Sequence, residues 1–599
     1  MTLTLLASDG GVVTLRPARP GDRTGMLRFR LAAAATDRII LVACAGPPPP
    51  DAAKDHAAEK DAANDHAAEK DAANDHATAK DAANDHATQK DAAKKAERAE
   101  RAEQATARKG APPVIGVAAY ARLDPAGRTA EIAVHVAPHH RGRGIATLLV
   151  EQLTAHARQA GITELIGPGP DGGTELRPML TPASVVVIGA GPRHGGAGHE
   201  TLRALRDYGF AGRLYAVNPA GRPVCGVPAY RSVSDLPEPA DLAVVAVRAD
   251  LVPAALKEAG RCGVRCAVVL SKGFASSGPV SRQRRAEVLQ VAREQGVRLL
   301  GPSSIGVLNT GPDARLNACL SPERPPAGGL ALAAQSGPVG IALLAGAARG
   351  GCGVASFVSL GEGLDVTEND LVTHWFDDPA TRAVGLCLES VRDPAGFATL
   401  VRALGRRKPV LAVSRAGALL ESAGVICTTG IGEMLDTARM LIGQPAPAGA
   451  RMAIVGNGGG LTGQAADLAE AAGFTLLPLT SATRRQVARG RDNPVDLGID
   501  ATPASIAAAA ETVANSGEAD TLLLIIVGTR ANCPIAIMTA LGEVVDGHPD
   551  VTIAAVLTGG NDGIQTFGSR AAPVYPDAAR AVRALAYAHR YAVWRNTDT

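Results

Sequence analysis

The last two-thirds of the chain alternates between short apolar runs and longer amphipathic stretches. The first group of apolar runs is SVVVIGA, RLYAVNP, LAVVAV, CAVVLS and VRLLGP, and helix-like stretches such as GHETLRALRDYGF separate them. Short runs rich in β-branched residues, alternating with helices, are typical of a parallel sheet covered on both faces. The pattern therefore predicts a doubly wound α/β domain.

The same alternation restarts twice further along the chain. GLALAAQSG, GVASFVSLG, AVGLCLES and PVLAVSRAG predict strands of a second α/β domain, and RMAIVGNGGG, TLLLIIVG and TIAAVLTG predict strands of a third. The final predicted helix is PDAARAVRALAYAHRYAVWR. We place these three domains at 175–312, 325–447 and 450–597, each of a size usual for a domain.

A polar repeat interrupts the N-terminal region. The unit DAANDHAAEK recurs between 51 and 90, and the strand-like runs RIILVACAG and VIGVAAYARL lie on either side of it. Alanine is the only apolar residue in the repeat, so the segment has no stripe to bury, and both a solvated helix and a disordered segment stay open. We interpret 46–112 as a low-complexity insertion in a hairpin turn of a first domain that spans 1–168.

The repeat also carries four regularly spaced histidines, His56, His66, His76 and His86. A ten-residue period drifts around a helix of 3.6 residues per turn, so these rings do not share one face. We therefore interpret the repeat as a tandem duplication in a surface loop, and we predict no metal site in the chain.

Composition narrows the class of protein. The net charge of +2 over 599 residues argues against a nucleic-acid-binding protein. None of the nine cysteines forms a CxxC pair, the N-terminus lacks the basic and apolar regions of a signal peptide, and no apolar stretch is long enough for a membrane helix. We expect a cytoplasmic protein with reduced thiols and no membrane association.

The sharpest local motif lies at a predicted junction between a strand and a helix. A strand over Glu131–Val136 leads to a glycine-rich turn and then to the helical stretch LLVEQLTAHARQAG. Glycine lets backbone N–H groups approach a pyrophosphate, and the helix N-terminus favours negative charge. The turn has the pattern Arg-x-x-Gly-x-Ala, and its candidate ligand-binding residues are Arg141, Gly142, Arg143, Gly144 and Ala146.

This motif resembles the acetyl-CoA loop of the GNAT acetyltransferase superfamily, as do VAPHH and VVTLRPARPGD before it. The resemblance implies acetyl-CoA as the substrate and assigns Glu131 as the base that deprotonates an attacking amine, while an ordinary strand-end glutamate is the alternative. The sequence departs from the superfamily after ITELIG, where PGPDGGTELRPMLTP replaces the usual last helix and strands. The motif therefore supports CoA binding more strongly than turnover.

The first of the three α/β domains opens with a glycine-rich loop, Gly189–Gly198, which is longer than GxGxxG. Asn218 and Pro219 stand where a dinucleotide-binding domain places the acidic residue for its ribose, which weighs against NAD. The region resembles the CoA-binding domain of the succinyl-CoA synthetase alpha subunit and of ADP-forming acyl-CoA synthetases. Further matching motifs, in chain order, are LSKGF, GPSSIGVLN, AQSGPVG, GEGLDVTEND, LCLES, VGNGGG and NPVDL.

The resemblance implies an α/β multidomain fold: an N-terminal α+β GNAT-like segment, a Rossmann-like CoA-binding domain and two flavodoxin-like domains of the succinyl-CoA synthetase type. The residues that it implies for CoA binding are Gly189, Gly196, Gly198, Asn218, Pro219, Ser271, Lys272, Gly301 and Pro302.

Two parts that the ligase chemistry needs are not found in the sequence. The family carries phosphate on a histidine in a Ser-His-Thr-Gly loop after the strand PVLAVSRAG, whereas here ALLESAGVICTTG follows that strand, and the sequence has no histidine between His374 and His548. Glu389 matches the carboxylate that steadies the phosphohistidine. No ATP-grasp pattern follows Arg595.

The combination resembles Pat-type protein-lysine acetyltransferases, in which an inactive synthetase-like body senses acyl-CoA. The first hypothesis is therefore an acetyl-CoA-dependent protein acetyltransferase with a lysine acceptor. A homo-oligomer is compatible with this hypothesis. The alternatives are an alpha-type subunit of an ADP-forming acyl-CoA synthetase and a non-catalytic acyl-CoA sensor.

Overall fold

The structure is a computed structural model of the whole chain, and it describes the following residues: 3–6, 12–17, 38–45, 114–122, 129–136, 145–162, 164–166, 176–276, 278–391, 394–415, 417–487, 492–530, 532–559 and 563–597. The chain divides into two compact units, Met1–Thr174 and Glu175–Thr599. No helix in these ranges is both long and apolar enough to cross a membrane.

The first unit is built on one sheet. Its described strands, in spatial order, are β1 (Leu3–Leu6), β2 (Val12–Pro17), β3 (Arg38–Ala45), β4 (Val114–Arg122), β5 (Thr129–Val136) and β6 (Glu164–Ile166). Helix α1 (Ile145–Gln159) buries Leu149 and Leu153 in the core of this unit. β3 and β4 are antiparallel neighbours, which confirms the predicted hairpin, and the insertion between them lies outside the described residues.

The second unit begins with a Rossmann-like sheet whose strands are all parallel. The strands are β7 (Ser184–Ile188), β8 (Arg213–Val217), β9 (Ala229–Tyr230), β10 (Leu242–Val245), β11 (Cys266–Val269) and β12 (Arg298–Leu300). The helices are α2 (Arg177–Leu180), α3 (Ala197–Tyr208), α4 (Val252–Arg261) and α5 (Pro279–Glu294), with 3₁₀ turns at Val233–Asp235 and Ala249–Leu251. The spatial order β12-β11-β10-β7-β8-β9 reverses direction between β7 and β10, and ligands of such sheets bind where the order reverses.

The next sheet is mixed. Its strands are β13 (Gly306–Asn309), β14 (Leu316–Cys319), β15 (Ala327–Ala334), β16 (Val354–Ser359), β17 (Ala383–Leu388), β18 (Val410–Ser414) and β19 (Ile426–Cys427). The spatial order is β14-β13-β16-β15-β17-β18-β19, and β13 runs antiparallel to both of its neighbours. The helices are α6 (Gly337–Arg349), α7 (Glu368–Asp377), α8 (Pro394–Arg407), α9 (Gly417–Ser422) and α10 (Ile431–Gly443).

The strands of the last sheet are parallel, except that the edge strand β24 runs antiparallel to its neighbour β25. Its strands are β20 (Met452–Gly456), β21 (Val495–Asp496), β22 (Thr521–Val527), β23 (Thr552–Thr558), β24 (Thr566–Phe567) and β25 (Ala572–Tyr575). The spatial order is β21-β20-β22-β23-β25-β24. The helices are α11 (Gly459–Ala471), α12 (Ser481–Gln486), α13 (Pro503–Asn515), α14 (Pro534–Gly547) and α15 (Ala578–Asn596).

Helix α15 packs back onto the preceding domain. The hydroxyl of Tyr591 donates to the carbonyl of Gly405 at 2.7 Å, and the Arg406 guanidinium lies 4.2 Å from the centroid of the Trp594 ring. The last helix therefore joins the two flavodoxin-like domains.

Candidate functional site

The predicted glycine-rich loop lies at the carboxyl end of β7, where the strand order reverses. Gly189 has a φ of 92°, and a Cβ there would lie 2.7 Å from the Ala246 carbonyl oxygen. A Cβ on Gly198 would lie 2.5 Å from the Gly189 carbonyl oxygen. Neither position has room for a side chain, because the loop meets the segment after β10 at Gly189 and helix α3 meets the loop at Gly198, both at backbone distance.

Helix α3 begins after Gly196, which provides no side-chain cap. The backbone N–H groups of a first helical turn have no partner within the helix, and together with the helix dipole they attract anions. The residues present at this junction are therefore suited to the phosphate groups of CoA.

Asn218 is buried and forms a hydrogen bond to the glycine-rich loop. Its Nδ2 donates to the carbonyl oxygens of Ala190 at 3.1 Å and Arg222 at 3.0 Å, and its Oδ1 accepts from the Arg222 N–H. The amide of Asn218 thus ties the end of β8 to the glycine-rich loop. The next residue, Pro219, is exposed beside it.

The other predicted residues of this domain follow β11 and β12 at the same edge of the sheet. The Ser271 hydroxyl donates to the Val247 carbonyl at 2.6 Å, and Lys272 is exposed. Gly301 has a φ of 94°, and Pro302 accepts a hydrogen bond at 2.9 Å from the Glu362 N–H of the next domain. The structure therefore places all nine predicted CoA-site residues along one edge, spread over the ends of four strands.

A cavity of about 420 Å³ lies at the start of α6. Its lining includes Ser303, Gln335, Ser336, Glu362, Glu368 and Glu389. Gln335 holds the segment after β17 in place, because its Oε1 accepts from the Glu389 N–H at 2.7 Å and the Ser390 N–H at 3.0 Å while its Nε2 donates to the Ser390 carbonyl. The motifs AQSGPVG and LCLES are thus in contact. The hydrogen bonds of the Gln335 side chain with Glu389 and Ser390 were not predicted from the sequence.

A neighbouring cavity of about 590 Å³ opens at the ends of β17 and β18, and Glu389 lines it too. Its other lining residues include Cys387, Ser414, Arg415, Thr428 and Gly430. Burial raises the pKa of the Cys387 thiol to about 12, so this thiol is not a ready nucleophile. Neither this cavity nor the preceding one has a histidine among its lining residues.

The connection after β18 is short. The strand ends at Ser414 and helix α9 begins at Gly417, so only residues 415 and 416 lie between them. This connection has no room for the histidine-bearing loop that the family resemblance places after this strand. Glu389 is present, but the group that it would steady is missing from this loop.

In the first unit, Glu131 lies in β5, between Ala121 of β4 and Ile166 of β6 in the strand register. Ala146 belongs to the first turn of α1. The predicted acetyl-CoA turn, Arg141 to Gly144, lies outside the described residues.

The glycine-rich loop at the reversal of strand order, the uncapped start of α3 and the two flavodoxin-like sheets are features of a CoA-binding body of the acyl-CoA synthetase type. Family models agree with this class. The CoA binding domain matches residues 183–310, the succinyl-CoA ligase like flavodoxin domain matches 327–417, and the acetyltransferase (GNAT) family matches 71–168.

Individual relatives give the same result. The alpha subunit of acetate–CoA ligase [ADP-forming] I from Pyrococcus furiosus is 30% identical over 460 residues, which cover 70% of this chain and 98% of that subunit. Acetate–CoA ligase [ADP-forming] I from Archaeoglobus fulgidus is 32% identical, and the chain covers 63% of its length. The dinucleotide forming acetyl-coenzyme A synthetase 1 of Ca. Korarchaeum cryptofilum, solved with phosphate and ADP, superposes with a TM-score of 0.65 at 25% identity, covering 70% of this chain and 98% of that one.

The chain therefore belongs to the family of ADP-forming acetate–CoA ligase alpha subunits, with a GNAT domain in addition. The predicted family resemblance and fold class are confirmed, and so is the expectation that the chain handles CoA or acyl-CoA.

Proposed function

We propose that this protein is an acetyl-CoA-dependent protein N-acetyltransferase with a lysine acceptor, and that its synthetase-like body binds CoA or acyl-CoA without ligating it. The observation that carries the proposal is the connection of two residues between Ser414 and Gly417, which leaves no loop for a phosphate-carrying histidine. The match of the first unit to the GNAT family supplies the alternative chemistry.

The proposed reaction needs one proton acceptor on the first unit. Glu131 takes a proton from the lysine ammonium group, and the neutral amine attacks the thioester carbonyl of acetyl-CoA. The C–N bond forms and the C–S bond breaks. The attacking nitrogen loses its second proton, and the CoA thiolate takes up one proton in balance and leaves as the thiol. A strand register that pairs Glu131 on both sides gives the backbone of this residue a fixed position in the sheet.

In the body, the proposed role of the glycine-rich loop is to receive the CoA phosphates. Gly189 and Gly198 keep the backbone open for close approach, and the N–H groups that follow Gly196 face the anion. Lys272, exposed after β11, adds a positive charge at the same edge.

The second candidate function is that of a ligase subunit paired with a separate nucleotide-binding chain. It is favoured by the relatives, since the chain covers 98% of a subunit of acetate–CoA ligase. It requires phosphate to pass through the cavity at Glu389 without a histidine on the connection after β18. The third candidate is a sensor that binds acyl-CoA without consuming it.

One experiment separates the transferase from the sensor. The full chain is incubated with radiolabelled acetyl-CoA and a lysine-containing acceptor protein, and released CoA thiol and acetyl-lysine are both counted. Equal amounts of thiol and acetyl-lysine support the transferase. If the protein retains acetyl-CoA but consumes none of it with any of several acceptor proteins, the result contradicts the transferase and supports the sensor.

A further inference from the structure

A cavity of about 500 Å³ lies between the two flavodoxin-like domains, away from the glycine-rich loop and from Glu389. Helices α6 and α10 of the first domain form one wall, and the segment from β24 to the start of α15 in the second domain forms the other. The charged residues that line the cavity are Arg349, Asp436, Arg439 and Arg580. Three guanidinium groups and one carboxylate give the lining a net charge of +2, which favours an anion.

Arg439 is buried without an acidic partner. Only 8% of this residue is exposed. Its Nη2 donates to the carbonyl oxygens of Gln565 and Val574, the latter at 3.2 Å, while its buried Nε has no hydrogen-bond partner. Among the residues that the structure describes, no carboxylate forms an ion pair with Arg439. Because buried arginines are ordinarily paired with a negative charge, this guanidinium calls for an anion from outside the chain.

The carboxylate that lines the cavity is already occupied. Asp436 lies one turn before Arg439 on α10, and both of its oxygens accept from Arg580, at 2.6 and 2.7 Å. This pair neutralises itself and leaves the charge of Arg439 uncompensated.

Arg349 adds a second uncompensated charge at the cavity. It is the last residue of α6, it is exposed, and it forms no ion pair with any described residue. Part of its charge offsets the negative end of the α6 dipole, a role that requires no ligand. The guanidinium still presents free N–H donors to the cavity, since none of them is bonded to a described residue.

The start of α10 lies at the same cavity. Ile431 and Gly432, the first two residues of this helix, line the cavity, and Gly430 before them provides no side-chain cap. The first N–H groups of a helix have no acceptor within it and carry partial positive charge. The helix start therefore adds to the positive potential of the two arginines.

The rest of the lining is suited to an organic group. Leu435, Val574 and Pro576 contribute apolar surface, and the volume is within the range of about 300–1,000 Å³ that small-molecule sites occupy. A phosphate monoester carries a charge of about −1.5 to −2 at pH 7 and three acceptor oxygens, which matches the lining charge better than a single carboxylate does. Arginine also binds phosphate through two parallel hydrogen bonds.

We propose that this cavity binds a small organic phosphate monoester. The phosphate group contacts Arg349 and Arg439, and the organic part lies against the apolar wall. Because both flavodoxin-like domains line the cavity, the bound ligand stabilises their junction. The proposal rests neither on acetyl transfer nor on CoA binding at the glycine-rich loop.

The test is a calorimetric titration of the full chain at low ionic strength. The probes are glycerol 3-phosphate, adenosine 5′-monophosphate, inorganic phosphate and succinate. We expect at least one of the two monoesters to bind at one site per chain, roughly tenfold or more tightly than inorganic phosphate or succinate, and to raise the Tm. Equal affinity for inorganic phosphate or for succinate would contradict an organic phosphate as the ligand, and so would a failure of both monoesters to bind at millimolar concentration.

Two variants locate the site. R349A removes an exposed side chain and should weaken monoester binding by roughly tenfold or more, as expected for a lost charge-assisted hydrogen bond. R439Q should weaken it at least as much, and circular dichroism shows whether this variant is folded. The control is R382A, which removes an exposed arginine of the same domain that lines a different cavity, and it should leave binding unchanged. If R349A binds as tightly as the parent, or if R382A weakens binding equally, the proposal is wrong.

Discussion

Asp436 of α10 and Arg580 of α15 form a two-pronged ion pair, with Nε 2.6 Å from Oδ2 and Nη2 2.7 Å from Oδ1. Only 8% of the Asp436 side chain is exposed. The hydroxyl of Tyr575 donates to the Asp436 carbonyl at 2.9 Å. Because α10 covers one flavodoxin-like sheet and α15 the other, this pair fixes the two domains to each other.

Replacing Arg580 should therefore loosen that junction. R580A leaves the carboxylate of Asp436 buried without its partner, and we expect a loss of about 3 kcal/mol in the free energy of unfolding. Urea denaturation of the full chain measures the loss. R293A, which removes an exposed arginine of α5, is the control, and an equal effect of both variants would contradict the account of the ion pair.

The proposed base of acetyl transfer can be tested without disturbing ligand binding. E131Q keeps the shape of the side chain but cannot accept the amine proton, so kcat/KM for acetyl transfer should fall by roughly a hundredfold or more. Calorimetric titration should find acetyl-CoA binding unchanged. E151Q, at an exposed position of α1, is the control, and full activity of E131Q would remove Glu131 from the mechanism.

The glycine-rich loop offers a matched pair of substitutions. G198A should cost about 1–3 kcal/mol of stability and weaken CoA binding to the body at least tenfold, because the new Cβ meets the Gly189 carbonyl at 2.5 Å. G191A adds the same methyl group where nothing lies within 4 Å. Titration of CoA into both variants should therefore separate them, and equal affinities would show that the loop is not the CoA site.

The short connection after β18 predicts the outcome of a phosphorylation experiment. When the chain is incubated with ATP and the nucleotide-binding subunit of a related ligase, we expect no acid-labile phosphohistidine. A related alpha subunit that has the Ser-His-Thr-Gly loop is the positive control. Stoichiometric phosphorylation of this chain would support the ligase function instead.

Acid should destabilise the first flavodoxin-like domain, which contains His374 in helix α7. Burial lowers the pKa of this imidazole in the folded state, with Lys408 lowering it further and Asp378 opposing the shift. The unfolded state then binds the proton more readily, so stability is retained above about pH 6.5 and lost as the pH falls below it. The drop in Tm between pH 7.5 and pH 5.5 should be smaller in H374Q, and an equal drop would assign acid sensitivity to other groups.

The strands of the body were predictable because parallel strands buried on both faces are almost uniformly apolar, as in Thr521–Val527. The glycines of the loop Gly189–Gly198 were also predictable, because positions without room for a side chain need glycine and the spacing of these glycines is visible in the sequence. The contact between the Sγ of Cys225 and Nε2 of His199, at 3.6 Å, was not predicted, because the two residues are 26 positions apart in the chain. Asn218 was predicted to contact CoA, and only the structure reveals that its amide is taken up by backbone groups.

The antiparallel pairing of β3 with β4 has a consequence for how this gene can change. The sheet fixes the two ends of the segment at 46–113, and the entropy of closing a loop grows only with the logarithm of its length. Losing or gaining one ten-residue unit alters that closure term by roughly 0.1–0.2 kcal/mol. Unequal recombination can therefore vary the number of repeats between generations at almost no cost to folding.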